Sequence, residues 1–369
     1  MILFLAGDVM TGRGVDQILP NPGDPTLWED YVHDAGTYVE LAEAAGGPIP
    51  RPVDPSWPWG DALSVLDRIR PAARIVNLET SITDGGEVAA GKGIHYRMHP
   101  ANIDCLAVAR PSMCTLANNH VLDFGRQGLA DTITALSDAG IRSGGAGRDA
   151  THARGPVIIP LGADRRIVVF AAGTRSSGIP PDWAATRGLA GVHLLPDLSM
   201  PTAADLAADI RRVKHPGDIV VFTIHWGSNW GYRIPTEQMR FAHHLVEHGV
   251  DVVHGHSSHH PRPIEIHHGR LILYGCGDFI DDYEGIGGYG AYRADLRLMY
   301  LPSVDPYTGH LARLTVVPLQ ARRMRLHRAS TSDTVWLRDL LDRLSRPYHT
   351  RIQLTDEDTL EAGPLEGGP

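Results

Sequence analysis

An α/β fold is what this sequence predicts, and two observations carry the prediction. Short apolar runs at residues 2–6, 73–76, 112–117 and 218–224 alternate with stretches of helical periodicity, which is a β-α-β rhythm. Each run also ends in residues able to bind a metal: Asp8, Glu79, Asn118-Asn119-His120 and His225. One such ending is ordinary turn chemistry, but a series of them describes a site at the strand ends of an α/β sheet.

The densest ending lies at 250–284. Its apolar run, 250–253, is expected to break at Gly255 and to deliver His254, His256, His259 and His260 onto the loop beyond. Imidazole is the commonest biological metal ligand, and several on a short rigid turn can converge on one cation. With 20 His in 369 residues, a merely solvated loop is the competing reading.

The elements follow in order. A first strand at 2–6 turns at Gly7-Asp8, with Arg13 five residues on. Residues 21–58, rich in Pro, Gly and Trp, are expected to leave the core and cover one edge of a site, with a short helix at 34–45. A helix at 59–70 leads to the second strand, and another at 101–109 to the third. A helix at 126–139 ends at Gly140, and the glycines at 144–147 lack phosphate-loop spacing, so they read as a turn.

Residues 157–160 and 167–171 read as a hairpin around Gly162-Ala163-Asp164. A helix at 206–213 precedes the fourth strand. The helix at 236–248 carries His243, His244 and His248, assigned to its surface. Strands at 271–274, 296–301, 311–319 and 351–354 and a helix at 334–344 complete the pattern. No linker divides it, so residues 1–354 are expected to form one domain, with a frayed acidic and glycine-rich tail at 355–369.

Composition narrows the function. Hydrophobic residues at 43% and charged residues at 21% describe a globular chain able to bury a large core. A formal charge of −9 without a basic run argues against a nucleic-acid backbone as partner. Cys105, Cys114 and Cys276 have neither disulfide nor zinc-ribbon spacing. The five apolar residues at the start are too few for a membrane span or signal segment, so a cytoplasmic protein is expected.

Read together, G-D-V-M, N-L-E-T, N-N-H-V-L-D-F-G, H-W-G and G-H-S-S-H-H-P-R-P-I-E followed by Y-G-C-G-D-F-I resemble the CapA family, the poly-γ-glutamate capsule biosynthesis proteins. That family is itself similar to the calcineurin-like metallophosphoesterases. The motifs span residues 2–280 in the family's order; the ordered set is specific where no single motif is.

The resemblance implies a four-layer α-β-β-α sandwich of the metallophosphoesterase type with its site at the strand ends. It further implies Asp8, Glu79, Asn119, His225, His256 and His259 as ligands of a divalent metal, Zn, Mn or Fe. His120 resembles the histidine that protonates the leaving group, with Asp123 orienting its ring. Arg13, Arg97 and Arg262, beside these positions, are candidates to receive a carboxylate or phosphate, with structural ion pairing as the competing role.

This sequence departs from the pattern at three points. Met10 stands where the phosphoesterases carry a first-strand histidine, Glu79 replaces an aspartate, and the spacing of G-H-S-S-H-H leaves His254 and His260 as competitors for the role of His256. The expectation is one tight metal held by Glu79, Asn119, His225 and His256, and a weaker position near Asp8 and His259. The implied activity is hydrolysis or transfer at a γ-glutamyl-type amide or a phosphoester of a small acidic substrate. The alternative is a non-catalytic binding or assembly protein for an acidic polymer or peptide.

Overall fold

The computed structural model describes residues 1–162 and 165–365 and is mixed α/β, built on two large sheets. The larger has ten strands. Its path runs Thr350–Leu354, Leu360–Pro364, Leu311–Ala321, Leu296–Val304, Leu3–Val9, Ala73–Leu78, Met113–Thr115 and Arg142–Gly144. Asp278–Ile280 also pairs with Leu3–Val9, and Leu326–Arg328 with Leu311–Ala321. The six-stranded sheet runs Ile264–His267, Arg270–Leu273, Val252–His256, Ile219–His225, Arg166–Gly173 and Val157–Pro160.

Side-chain alternation explains how the sheets are covered. Leu3 and Leu5 of the larger sheet share an apolar cluster with Ile167, Val169, Ile219 and Val221 of the smaller. The alternate residues Phe4 and Ala6 face the other way, into a cluster with the helices Gly36–Gly46, Asp61–Ile69 and Gly125–Asp138. Val220, Phe222 and Ile224 likewise face the helices Met200–Val213 and Thr236–Glu247. Strands buried on both faces read as continuous apolar runs, which is why the sequence shows them so clearly.

Both sheets are parallel where the site forms. Leu3–Val9 runs parallel to Ala73–Leu78, and Ile219–His225 parallel to Val252–His256, so within each sheet the carboxyl ends of these strands fall together. No helix among the described residues is long and apolar enough to cross a membrane. The three cysteines are buried and unpaired.

Several boundaries differ from the sequence reading. The strand read at 250–253 continues through Gly255 to His256, because the glycine marks a close approach and not a break. A Cβ there would lie 2.6 Å from the Leu273 carbonyl oxygen and 2.7 Å from Trp226 Nε1. The helix read at 101–109 shrinks to Pro100–Asn102 and Asp104–Ala107. The hairpin forms, as Val157–Pro160 against Arg166–Gly173, although Ala163 and Asp164 lie outside the described residues.

The tail expectation is corrected. Leu360–Pro364 is a strand hydrogen-bonded to both Thr350–Leu354 and Leu311–Ala321, with Leu360 and Ala362 in the cluster between the sheets. Residues 366–369 lie outside the described residues. Within 21–58, the helix Gly36–Gly46 forms as expected, and Glu29 and Tyr38 reach the neighbourhood of Arg13.

Candidate functional site

The larger sheet contributes the carboxylates. Asp8, at the end of Leu3–Val9, is fully buried and accepts a hydrogen bond from Asn77 Nδ2 at 2.7 Å; the same amide nitrogen stands 3.3 Å from Glu79 Oε2. Asn77 is held in that orientation because its Oδ1 accepts from Thr115 Oγ1 and Asn118 Nδ2. Asn118 also folds the N-N-H turn, its Oδ1 accepting from the backbone of His120 and Val121. Asn119 is thereby left to face the other sheet, with Oδ1 2.8 Å from His225 Nε2.

The smaller sheet contributes the imidazoles. His225 and His256 are register partners on neighbouring strands, and their Nδ1 atoms lie 2.8 Å apart. Asp8 Oδ1 is 3.7 Å from His256 Nδ1 and 4.0 Å from His225 Nδ1. On the other side of the His225 ring, Nε2 is 3.7 Å from Glu79 Oε1. The grouping differs from the expected division: His256 falls with Asp8, Glu79 with Asn119, and the His225 ring joins the two.

His254 does not compete for the site. Its Nε2 donates to the Ala6 carbonyl at 2.8 Å, and its Nδ1 meets Thr223 Oγ1 at 3.2 Å, so both nitrogens are used. His260 is spent elsewhere, with Nδ1 at the Pro261 carbonyl and the ring stacked on Trp230 and Tyr292. His243 pairs with Glu265 at 2.9 Å and stacks on His267, while His244 and His248 stack on each other, away from these strand ends.

Beside Glu79 stands His120, its Nε2 3.8 Å from Glu79 Oε1 and its Nδ1 2.6 Å from Asp123 Oδ2. Asp123 also accepts from the Tyr96 backbone N–H at 2.7 Å and from Lys92. Lys92 further donates to the Asn119 carbonyl and lies 3.2 Å from His120 Nδ1. Sequence reasoning missed Lys92, which sits in a glycine-rich stretch where a lone lysine carries no signal.

Asp278 and His259 form the remaining edge. His259 Nδ1 donates to Asp278 Oδ1 at 2.8 Å, and its Nε2 faces Asn229 Nδ2 at 3.0 Å. Asp278 was also missed. The turn G-C-G-D-F was visible beside the site, but nothing local distinguished its aspartate from a turn residue. Met10 keeps its sulfur at the Tyr283 hydroxyl, 3.6 Å away. Against this edge lies a cleft of about 480 Å³ lined by Arg13, Tyr38, Trp230, His259, Tyr283 and Arg297, among others.

The three arginines singled out in the sequence are all engaged by protein groups. Arg13 is clamped by Asp282 and Glu29 beneath the ring of Tyr38, and reaches the cleft only as part of its wall. Arg97 donates to the Asp24 carbonyl and lies over Phe124. Arg262 donates to the Ser228 carbonyl. Ion pairing thus accounts for Arg13 and Arg97, whereas Arg262 makes no ion pair among the described residues and keeps a buried Nε without a partner; Lys92 is the cation that reaches the His120-Asp123 pair.

Burial sets the charge of the site. Desolvation, then the charge of Asp278, pushes the Asp8 carboxyl up to about 7. Glu79 is raised well above the usual carboxylate range by burial and by the charges of Asp8 and Asp278. His225 and His256 are held well below the ordinary imidazole value by burial, and His120 is lowered to about 4 by the same cause. For Asp123, burial acts upward but is outweighed by His120 and Lys92, which hold the carboxyl below its usual value.

This donor set fits a divalent cation. Two imidazole nitrogens approach to 2.8 Å, three buried carboxyl groups crowd one another, and Asp278 Oδ2 is buried with no hydrogen-bond partner. A proton or a metal ion between such groups relieves both the repulsion and the desolvation.

Comparison with known proteins agrees with the sequence motifs. The model of the bacterial capsule synthesis protein family PGA_cap matches residues 2–283. A probable polyglutamine synthesis accessory protein of Mycobacterium tuberculosis is 52% identical over 363 residues, covering 98% of this chain and 96% of that protein. The PGA biosynthesis protein CapA of Bacillus subtilis is 28% identical over 204 residues, 52% of this chain and 48% of its own. The capsule biosynthesis protein CapA of Bacillus anthracis is 23% identical over 287 residues, 76% of this chain and 60% of its own.

Proposed function

The chain belongs to the bacterial capsule synthesis protein family PGA_cap, and from that premise we propose that it is a metal-dependent hydrolase or transferase serving glutamyl-polymer synthesis. The bond acted on is a γ-glutamyl-type amide or a phosphoester. The observation that carries the reading is the meeting of Asp8, Glu79, Asn119, His225 and His256 at the ends of strands from two sheets. Helices, sheet, sheet and helices then make the four-layer sandwich of the metallophosphoesterase type, read as one domain.

Asp8, Glu79, Asn119, His225 and His256 would hold Zn, Mn or Fe. When bound, the cation supplies Lewis acidity to an acyl or phosphoryl oxygen and lowers the pKa of a water. His120 is neutral at pH 7, and its Nδ1 proton is committed to Asp123, so Nε2 carries a lone pair. Nε2 therefore takes the proton of the attacking water and returns it to the leaving nitrogen or oxygen. Lys92 and Asp123 fix the ring in the orientation this needs. An acidic substrate enters from the cleft beside His259. The proposed location is the cytoplasm, which three buried, unpaired cysteines favour.

A second reading, a binding or assembly protein without turnover, is favoured by the accessory role in the printed name of the Mycobacterium relative. The deciding experiment loads purified protein with each metal and assays γ-glutamyl peptides, poly-γ-glutamate and a panel of phosphoesters. Turnover of one class, lost in His120→Asn at full metal content, is expected. Retention of an acidic polymer with no cleavage by fully loaded protein would favour the second reading.

A further inference from the structure

The strand Asp278–Ile280 lies against Leu3–Val9 more closely than side chains ordinarily permit. A Cβ on Gly7 would stand 1.7 Å from the Gly277 carbonyl oxygen, and that oxygen accepts the Asp8 backbone N–H at 3.1 Å. Asp8 and Asp278 become register partners on neighbouring parallel strands, which puts their side chains on one face of the sheet. Asp278 is 2% exposed; its Oδ1 is engaged by His259 Nδ1, and its Oδ2 meets no donor at all. A buried carboxylate oxygen without a donor is costly, and a native protein rarely keeps one without use.

Met10 stands where the phosphoesterases carry a first-strand histidine, and its thioether is a poor ligand for a hard or borderline cation. The sulfur is in any case occupied by the Tyr283 hydroxyl. Resting on the metal-dependent reading above, we infer that Asp278 supplies the ligand missing at Met10 and, with Asp8 and His259 Nδ1, forms a second cation position rich in oxygen. The 2.8 Å between Asp278 Oδ1 and His259 Nδ1 is close to the separation of two adjacent ligands on one octahedral ion, about 3 Å for bonds of about 2.1 Å. Two carboxylates and one imidazole favour Mn²⁺ or Mg²⁺ here, whereas the imidazole pair His225 and His256 favours Zn²⁺. The sites would then differ in metal preference more than in strength.

The surrounding ion pairs leave the position open. The nearby Arg297 is committed to Asp281, so among the described residues only His259 pairs directly with Asp278. A divalent ion at this position neutralises both aspartates at once.

The test is titration of metal-stripped full-length protein with Mn²⁺, Mg²⁺ and Zn²⁺, read by calorimetry and by metal content after gel filtration. The unaltered protein should hold two equivalents of Mn²⁺. Asp278→Asn should hold one, or bind the second at least tenfold more weakly, and adding Met10→His should restore the second equivalent with a shift towards Zn²⁺. Two equivalents at unchanged affinity in Asp278→Asn would overturn the inference. One equivalent in the unaltered protein would overturn it and leave the proposed function standing, whereas none would overturn both. If Asp278→Asn fails to give a native circular dichroism spectrum, anomalous scattering from wild-type crystals grown with Mn²⁺ decides. A peak within about 2.6 Å of either carboxylate oxygen of Asp278 supports the site, and its absence there overturns it.

Discussion

Thr223 Oγ1 lies 2.9 Å from His256 Nε2 and thereby decides which nitrogen of that ring faces Asp8. The chain of donors starts at the Ala6 carbonyl, which only accepts, so His254 Nε2 carries its proton. His254 is neutral, its pKa lowered to about 4 by burial, and its Nδ1 accepts from the Thr223 hydroxyl. The Thr223 oxygen then accepts from His256 Nε2–H, and the His256 Nδ1 lone pair is left pointing at Asp8 and His225. His254, read from the sequence as a competing ligand, instead orders the protons of the one beside it.

Thr223→Val keeps the shape and removes the hydroxyl. Losing a partner of this kind typically lowers metal affinity by about 10-fold to 100-fold. The expected result in calorimetric titration is that loss for Val and near-native affinity for Thr223→Ser. Equal affinities for Val and the unaltered protein would show that His256 is ordered by something else.

Metal uptake should expel protons at neutral pH. In the metal-free protein, burial and the charge of Asp278 push the Asp8 carboxyl up to about 7, so it holds part of a proton that an ordinary carboxylate would have lost, and burial shifts Glu79 in the same direction. His225 and His256 are already neutral and release none. Affinity for a divalent cation should therefore fall as pH drops through about 7, a window set by carboxylates and not by histidines. Calorimetry at pH 7 in buffers of different ionisation enthalpy measures the protons released; a value of zero would mean the carboxylates are ionised before the metal arrives.

What the sequence revealed and what it hid follow the same physics. Apolar runs buried on both faces announced the main strands, and polar residues after them announced Asp8, Glu79, Asn119 and His225. Asp278 and Lys92 remained hidden because each depends on a contact between segments far apart in the chain: Gly7 against Gly277, and the 85–93 turn against His120. The pairing of Arg13 and Arg97 was hidden for the complementary reason. Their partners Asp282, Glu29 and Asp24 lie elsewhere in the sequence, so a paired guanidinium and a free one look alike there.

His120 should matter for turnover and not for metal content. Its Nδ1 is tied to Asp123, and its Nε2, 3.8 Å from Glu79, faces the site without belonging to the Asp8, His225 and His256 group. His120→Asn is expected to lower kcat by about 10²-fold to 10⁴-fold, the usual worth of a positioned acid-base group, with metal stoichiometry intact. Loss of metal in this variant would reassign His120 as a ligand.

The C-terminal strand gives a prediction about stability. Leu360–Pro364 fills the space between Thr350–Leu354 and Leu311–Ala321, so removing it would expose unpaired backbone on both neighbours. Leu360 is fully buried among residues of both sheets, including Leu314, Val316 and Ile352. Truncating such a leucine removes the transfer energy of its methyl groups and leaves a cavity that neighbours on two rigid sheets cannot close. Leu360→Ala should cost about 2–5 kcal/mol in denaturant unfolding, and deletion of 355–369 should cost more. A chain ending at Leu354 that unfolds at the same denaturant concentration as the whole would show that the strand is attached to the core without supporting it.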